Sequence, residues 1–427
     1  MKALCIALVA CGAPASYLGA ETPAACHSSD AEHCASALAE RDLVAGDLDI
    51  YDDAALRSYV QGVANRLARN SHLAHAPRLV ISNHDNTYAP FGNAIVIGRV
   101  TIEKLGSEAE LAGIVAHEMA HIEGHHASVS LFGPETDKQW LANRRDAEGI
   151  ADERAVALLE RSGYAPRAMP RALMAELDSD DDEHPPRADR ISRVATLAGD
   201  RLGFEGREEL LRHLDKMVVG RDTRLGIRVG RAWVVANLGI ALDLPVDDIA
   251  RVEGDGLVLR HDRAELDAYA IGAPWARELA SHLEDAQTAD TALGRVTIGV
   301  APEREEGAAD PLSRLEAVVR ATLPQPAPGM SVVIVERCLG NACAGLVIEL
   351  ATHGDTFANK RWIAGLRAAT RRELAAAEPA RIELATATRE AKFATLAEAC
   401  PNPAAALELD DPDRVILPGT PFKCTDR

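Results

Sequence analysis

The chain has 427 residues, 47% of them hydrophobic, enough for two or three domains with cores of their own and too apolar for a disordered tail. Its net charge of −19 comes from 46 basic and 65 acidic side chains, and no Lys/Arg-rich run offers a footprint for nucleic acid or an anionic surface. Aromatics are only 4%, which argues against base-stacking platforms, and the one long apolar stretch falls far short of the ~20 residues of a spanning helix, which excludes a polytopic membrane enzyme.

That apolar stretch reads as an export signal: Met1-Lys2, a run from Ala3 to Ala10, then Cys11-Gly12 and a Pro/Ser/Ala-rich segment. Leu8-Val9-Ala10-Cys11 has the form of a lipobox, in which Cys11 would carry a lipid anchor; ordinary cleavage after Ala15 or Ala20 is the alternative. Once Cys5 and Cys11 are set aside, six cysteines remain in three sequence-local pairs. The simplest assignment in an oxidising periplasm joins Cys26 to Cys34, Cys338 to Cys343 and Cys400 to Cys424, with other connectivities open.

From Asp52 to Arg69, Leu56, Tyr59, Val60, Val63 and Leu67 recur at helical spacing and predict an amphipathic helix. Strand-like runs follow at Arg78 to Ile81 and Ala94 to Ile97, around the segment Asn86 to Gly92. Helices are then expected from Ser107 to about His125, Lys138 to Arg161, Pro166 to Leu177 and Ala188 to Leu197, with an acidic loop from Asp178 to Glu183 between the last two. Beyond Phe204 the texture turns β-rich, as at Trp233 to Leu242 and Gly256 to Leu259. Val332 to Val335 and Leu346 to Leu350 read as a hairpin stapled by Cys338 and Cys343.

His117-Glu118-Met119-Ala120-His121 is an H-E-x-x-H motif. Positions four apart lie about 40° apart on one helix face, so both imidazoles can reach one Zn²⁺ while Glu118 points at its water. From Leu111 to Ile122 every residue outside the motif's His and Glu is apolar or Gly, so the helix should be buried nearly all round. Two imidazoles and a carboxylate are costly in such a place unless they are paired or bind metal.

A third ligand is needed. Gly124 fits the longer H-E-x-x-H-x-x-G-x-x-H pattern, but the position that should close it is Ala127, and His126 is one residue early. Glu148 is the better candidate: Ala151, Ala155, Leu158 and Leu159 make an apolar stripe with Glu148 and Asp152 in its middle, while Asp146, Glu153 and Glu160 lie opposite. Carboxylates on a buried face want a metal or a cation. Glu148 is therefore read as third ligand and Asp152 as acceptor for a ligand imidazole N–H.

These residues resemble metallopeptidase family forty-eight, the HtpX, BepA and CAAX-protease type of zinc endopeptidase. The likeness runs through Ser107 to Ala116, the motif itself, His126, Glu148-Gly-Ile-Ala-Asp152 for the family's E-x-x-A-D, Arg161 to Pro166, and His184-Pro185 with Arg190-Ile191; Asn86 to Ala89 stands for its N-A-F-A strand. It covers about residues 50 to 200. Two departures stand out: a short interval from His121 to Glu148, which suggests a trimmed insertion, and Phe91-Gly92-Asn93 where the family carries a Gly-Gly pair.

The resemblance implies an α+β fold, a mostly helical gluzincin-type domain with a small sheet edge, followed by a β-rich C-terminal region. It implies one Zn²⁺ per chain on His117, His121 and Glu148, with Glu118 as general base, Asp152 and His126 behind the ligands, and His184 and Arg190 stabilising the oxyanion. It gives His184 a second role, as a fourth ligand that closes the site. Substrates would be peptides or unfolded envelope proteins. The competing reading is a chaperone-like or cell-wall-binding lipoprotein with a vestigial or self-inhibited site. Residues 1–20 are taken as signal, 21–204 as peptidase, 205–328 as a β-rich accessory domain and 329–427 as an α/β module. Within the last, Arg381 to Cys424 faintly resembles a LysM-like unit, a resemblance that implies a peptidoglycan contact although its G-D-T is absent.

Overall fold

Asp53 starts the first helix, α1 (Ala54–Ala68), by accepting the backbone N–H of Ala55 at 3.0 Å and of Leu56 at 2.9 Å, which satisfies two donors that the first turn leaves without helical partners. The expected stripe points inward, with Leu56, Val60, Val63 and Leu67 buried. The computed structural model describes residues 51–426 apart from 52, 84–86, 90–92, 127–136, 177–184, 221, 247, 254–255, 262–263, 303–325, 327–328, 340–341 and 351–355. The signal with Cys11, the Cys26/Cys34 pair, the acidic loop and His184 lie outside the described residues.

Packing divides the chain into two units, residues 50–221 with 380–427, and residues 222–379. The breaks thus fall after Arg221 and after Pro379, where the sequence placed them near 205 and 329. In the first unit, β1 (Arg78–Ser82) pairs in parallel with β2 (Ala94–Gly98). Their central residues, Leu79 to Ile81 and Ile95 to Ile97, are buried on both faces, as parallel strands require. Five further helices cover this pair and one another: α2 (Arg99–Lys104), α3 (Glu108–Glu123), α4 (Asp137–Arg161), α5 (Met169–Glu176) and α6 (Arg187–Ala198), with α7 (Arg207–Leu214) closing the segment.

Helix α3 runs through the centre of the core, and every side chain from Glu108 to Ala120 is buried. A Cβ at Gly113 would meet Met169 Sδ at 3.0 Å and Ala172 Cβ at 3.2 Å, so the missing side chain is what lets α5 approach α3 so closely. The tail returns to this unit: strands Ile382–Thr386 and Pro421–Thr425 pair antiparallel, with short helices Phe393–Ala397 and Pro403–Leu407 between them, and Ile382 and Leu409 belong to the same apolar core as α3. A disulfide joins Cys400 to Cys424.

The second unit is mostly strand. Ile249–Glu253, Gly256–His261, Ala264–Gly272, Glu284–Thr291, Gly294–Val300, Ser331–Leu339 and Ala342–Leu350 form one antiparallel sheet, and a smaller four-stranded sheet holds Ala232–Val235 and Ile240–Asp243. Buried Trp233 and Trp362 anchor its core. The expected hairpin is present with Cys338 opposite Cys343 in register, and Cys338 is disulfide-bonded. Among the described residues no helix is long and apolar enough to cross a membrane.

Candidate metal centre

Helix α3 begins where Ser107 Oγ accepts the Glu110 N–H at 3.3 Å, with Glu108 and Glu110 placing negative charge in the first turn, where the helix dipole favours it. The motif lies two to three turns further on. His117 and Glu118 are buried, and His121 retains 16% side-chain exposure.

Glu148 reaches this pair from α4. That helix is sorted as its sequence pattern required, with Glu148 and Asp152 buried and Asp146, Glu153 and Glu160 exposed. Three ligand-type side chains converge: His117 Nε2 is 3.0 Å from His121 Nε2 and 3.2 Å from Glu148 Oε2, while His121 Nε2 is 3.4 Å from Glu148 Oε1. Zinc bonded to imidazole nitrogen and carboxylate oxygen at about 2.0–2.2 Å sets tetrahedral ligand atoms roughly 3.4 Å apart. The observed separations fit such an ion, and two nitrogens with one carboxylate oxygen are a donor set that zinc accepts.

Each imidazole is steadied from its other nitrogen. His117 Nδ1 lies 3.1 Å from Asp152 Oδ1, and among the described residues no other group hydrogen-bonds to it. His126 Nδ1 lies 2.8 Å from His121 Nδ1. Asp152 in turn takes Arg190 Nε at 3.1 Å, Arg190 Nη2 at 2.9 Å and Arg193 Nη2 at 3.1 Å. The resemblance gave Arg190 a place at the oxyanion. In the structure its guanidinium is 2% exposed and committed to carboxylates, Asp152 in a fork and Glu148 Oε2 at 3.2 Å. His184 is outside the described residues.

Residues 54–140, which include the motif, match the model of peptidase family M48. The stretch that carries the motif is thus similar to that family. The family resemblance read from the motifs is thereby borne out, while Glu148, Asp152 and Arg190 lie beyond the matched residues. Similar curated proteins include the Beta-barrel assembly-enhancing protease of Yersinia pestis, 25% identical over 30% of this chain and 34% of that protein. The protein of the same name from Escherichia coli strain K12 is 22% identical over 31% of this chain and 35% of its own length. The match spans about a third of the length of these relatives.

Electrostatics at the candidate site follow from burial set against pairing. Burial works to lower the His117 pKa, but Asp152 and Glu148 raise it well above the imidazole range. Burial works to raise Glu148, and hydrogen bonds from His117 and His121 hold it far below the carboxylate range; Asp152 is held at about 2 by His117 and Arg190 against the same burial. Glu118 goes the other way, pushed to about 8 by burial with Glu176 and Glu148 adding to it, while His117 and the Ala89 backbone oppose.

Glu176, at the end of α5, is a residue that sequence reasoning missed. Among the described residues its Oε2 is buried without a hydrogen-bond partner, and burial raises its pKa among the charges of His117, Arg190, Glu148 and Asp152. The signal was present: Met169, Ala172 and Leu173 are buried on one face of α5, and Glu176 continues that spacing. Nearby, Tyr88 pairs with β2 through Tyr88 N to Val96 O at 3.0 Å and Val96 N to Tyr88 O at 2.9 Å.

Proposed function

We propose that this chain is a zinc-dependent endopeptidase of the bacterial cell envelope, acting on unfolded or misassembled envelope proteins. The observation that carries the reading is the convergence of His117 Nε2, His121 Nε2 and a Glu148 carboxylate oxygen within 4.8 Å of one another, with Glu118 next in the chain to a ligand. These three residues would hold the ion. When bound, zinc supplies Lewis acidity that activates water and polarises the scissile carbonyl.

Glu118 takes the proton from the attacking water and returns it to the leaving nitrogen. Burial with Glu176 and Glu148 beside it raises the proton affinity of this carboxylate, the direction a general base requires. Asp152 holds the His117 ring with Nδ1 protonated, and His126 braces His121. Arg190 neutralises the two carboxylates of α4 at the positions the ligands require. An extended substrate would add as a strand beside Thr87 to Ala89, where Tyr88 already pairs with β2. His184 is assigned from the resemblance alone, as oxyanion donor or closing ligand. Export is supported by the N-terminal signal pattern and the Cys400–Cys424 disulfide, and the names of the relatives favour envelope substrates. Metal analysis of purified protein with casein degradation tests the reading. One zinc per chain and activity lost to a chelator and restored by zinc are expected; metal-free protein that still degrades casein would overturn it.

A further inference from the structure

The start of the motif helix is held by residues from the far end of the chain. Glu110, in the first turn of α3, is 1% exposed. Its Oε1 takes Arg414 Nη2 at 2.7 Å and Arg171 Nε at 2.7 Å, and its Oε2 takes the Gly106 N–H at 2.6 Å. Arg414 Nε also lies 3.2 Å from Asp410 Oδ1, and Asp410 Oδ2 accepts Arg207 Nη2 at 2.9 Å. Next to this network, buried Lys423 donates from Nζ to the carbonyls of Glu103 and Leu105 at 2.6 Å each and of Leu409 at 2.5 Å. The disulfide Cys400–Cys424 fixes the strand that carries Lys423.

Buried ion pairs are a poor source of net stability, because desolvation consumes most of the attraction. What a planar guanidinium shared by two carboxylates does supply is direction. Here the direction belongs to the helix that carries the motif. Glu110 precedes His117 by seven residues and His121 by eleven, roughly 10 and 16 Å along the axis at 1.5 Å per residue. A rotation of about 5° at the root would move the His121 end by ~1.4 Å, and misplacement by about 1 Å can cost a hundredfold in rate.

We infer that Arg414 is a positioning residue of the proposed peptidase site, setting the seat of the motif helix through Glu110, so that the C-terminal segment is part of the working unit. The inference rests on the peptidase reading. Gly106 provides an independent handle. A Cβ built there falls on the Arg414 guanidinium, a flexible end that can move aside, so Gly106→Ala should evict Arg414 while leaving its charge in the chain.

The test measures casein turnover per zinc-bound molecule, zinc affinity by chelator competition, and melting temperature for the parent, Arg414→Ala, Gly106→Ala and the double variant. Arg414→Ala should lower kcat ten- to a hundredfold with KM near the parent's, an effect on the scale of a displacement of about 1 Å. Gly106→Ala should do the same, and the double variant should be no worse than either alone. Should Arg414→Ala fail to fold, Gly106→Ala carries the test. Parental kcat per bound zinc in the folded single variants, or losses that multiply in the double, would overturn the inference. A parent without proteolysis defeats the peptidase reading instead, and zinc affinity then decides: equal, non-additive weakening supports the positioning role, and unchanged affinity overturns it.

Discussion

His117 is held between two carboxylates one helical turn apart on α4, with Nε2 3.2 Å from Glu148 Oε2 and Nδ1 3.1 Å from Asp152 Oδ1. An acceptor at Nδ1 favours a proton there, so the Nε2 proton that now faces Glu148 is the one a metal would displace, leaving the tautomer a metal needs. Asp152→Asn keeps the shape and removes the charge. It should weaken zinc binding about 10- to 100-fold, as read by chelator competition, with the protein still folded. Parental affinity would mean that Asp152 does not orient the ring.

Glu118 and Glu148 should fail differently. Glu118→Gln removes the base and keeps all three ligand atoms, so proteolysis should vanish while zinc stays near one equivalent. Glu148→Ala should lose the metal, because two imidazoles alone hold zinc poorly. Turnover by Glu118→Gln at the parental rate would remove Glu118 from the mechanism, and full zinc occupancy in Glu148→Ala would place the third ligand elsewhere.

Arg190 is buried against Asp152 and Glu148. Arg190→Met would leave both carboxylates short of a cation, and breaking a buried pair in this way costs about 3–5 kcal/mol. The expected result is a lower melting temperature with weakened zinc binding. A variant of parental stability and zinc content that lost only kcat would instead support the oxyanion role implied by the resemblance.

Helix α3 was legible because its apolar residues run all round it, leaving only the motif's own polar groups to explain. Glu148 and Asp152 were legible because they interrupt an apolar stripe. The pairing of Arg190 was not legible: its partner Asp152 is 38 positions away, and a cation paired inside a core leaves no periodic mark in the sequence. The tail was harder still. Arg414 reaches Glu110 across 304 positions, and the shift in composition after Phe204 hid the fact that Ile382 and Leu409 rejoin the core around α3.

The Cys400–Cys424 link closes a separation of 24 residues, and loop-closure entropy puts its contribution at about 3 kcal/mol. Non-reducing peptide mapping should recover the linked pair. Replacing both cysteines by serine should lower the melting temperature of the unit that contains α3. An unchanged transition would show that the tail is held by Lys423 and Arg414 without the staple.

Glu103 gives the same unit a dependence on pH. It is 5% exposed, and burial pushes its pKa up to about 7, against the lowering effect of Arg99 Nη1 at 3.3 Å, the Gly220 N–H at 2.8 Å, Lys423 and Lys104. Between the ordinary carboxylate value and about 7, the folded state therefore holds a proton that the unfolded state has released. Stability from this group is full at low pH and is lost as pH rises through that window, by about 3 kcal/mol at 1.36 kcal/mol per pKa unit. Lys423 acts in a separate window: burial lowers its pKa to about 8, so its contribution rises with pH only above that value. Glu103→Gln cannot ionise and should lose the first dependence alone. Melting curves between pH 4.5 and 7.5 should show the parent falling relative to the variant as pH increases. A difference constant with pH would mean that Arg99 and the Gly220 amide, rather than burial, set the charge of Glu103.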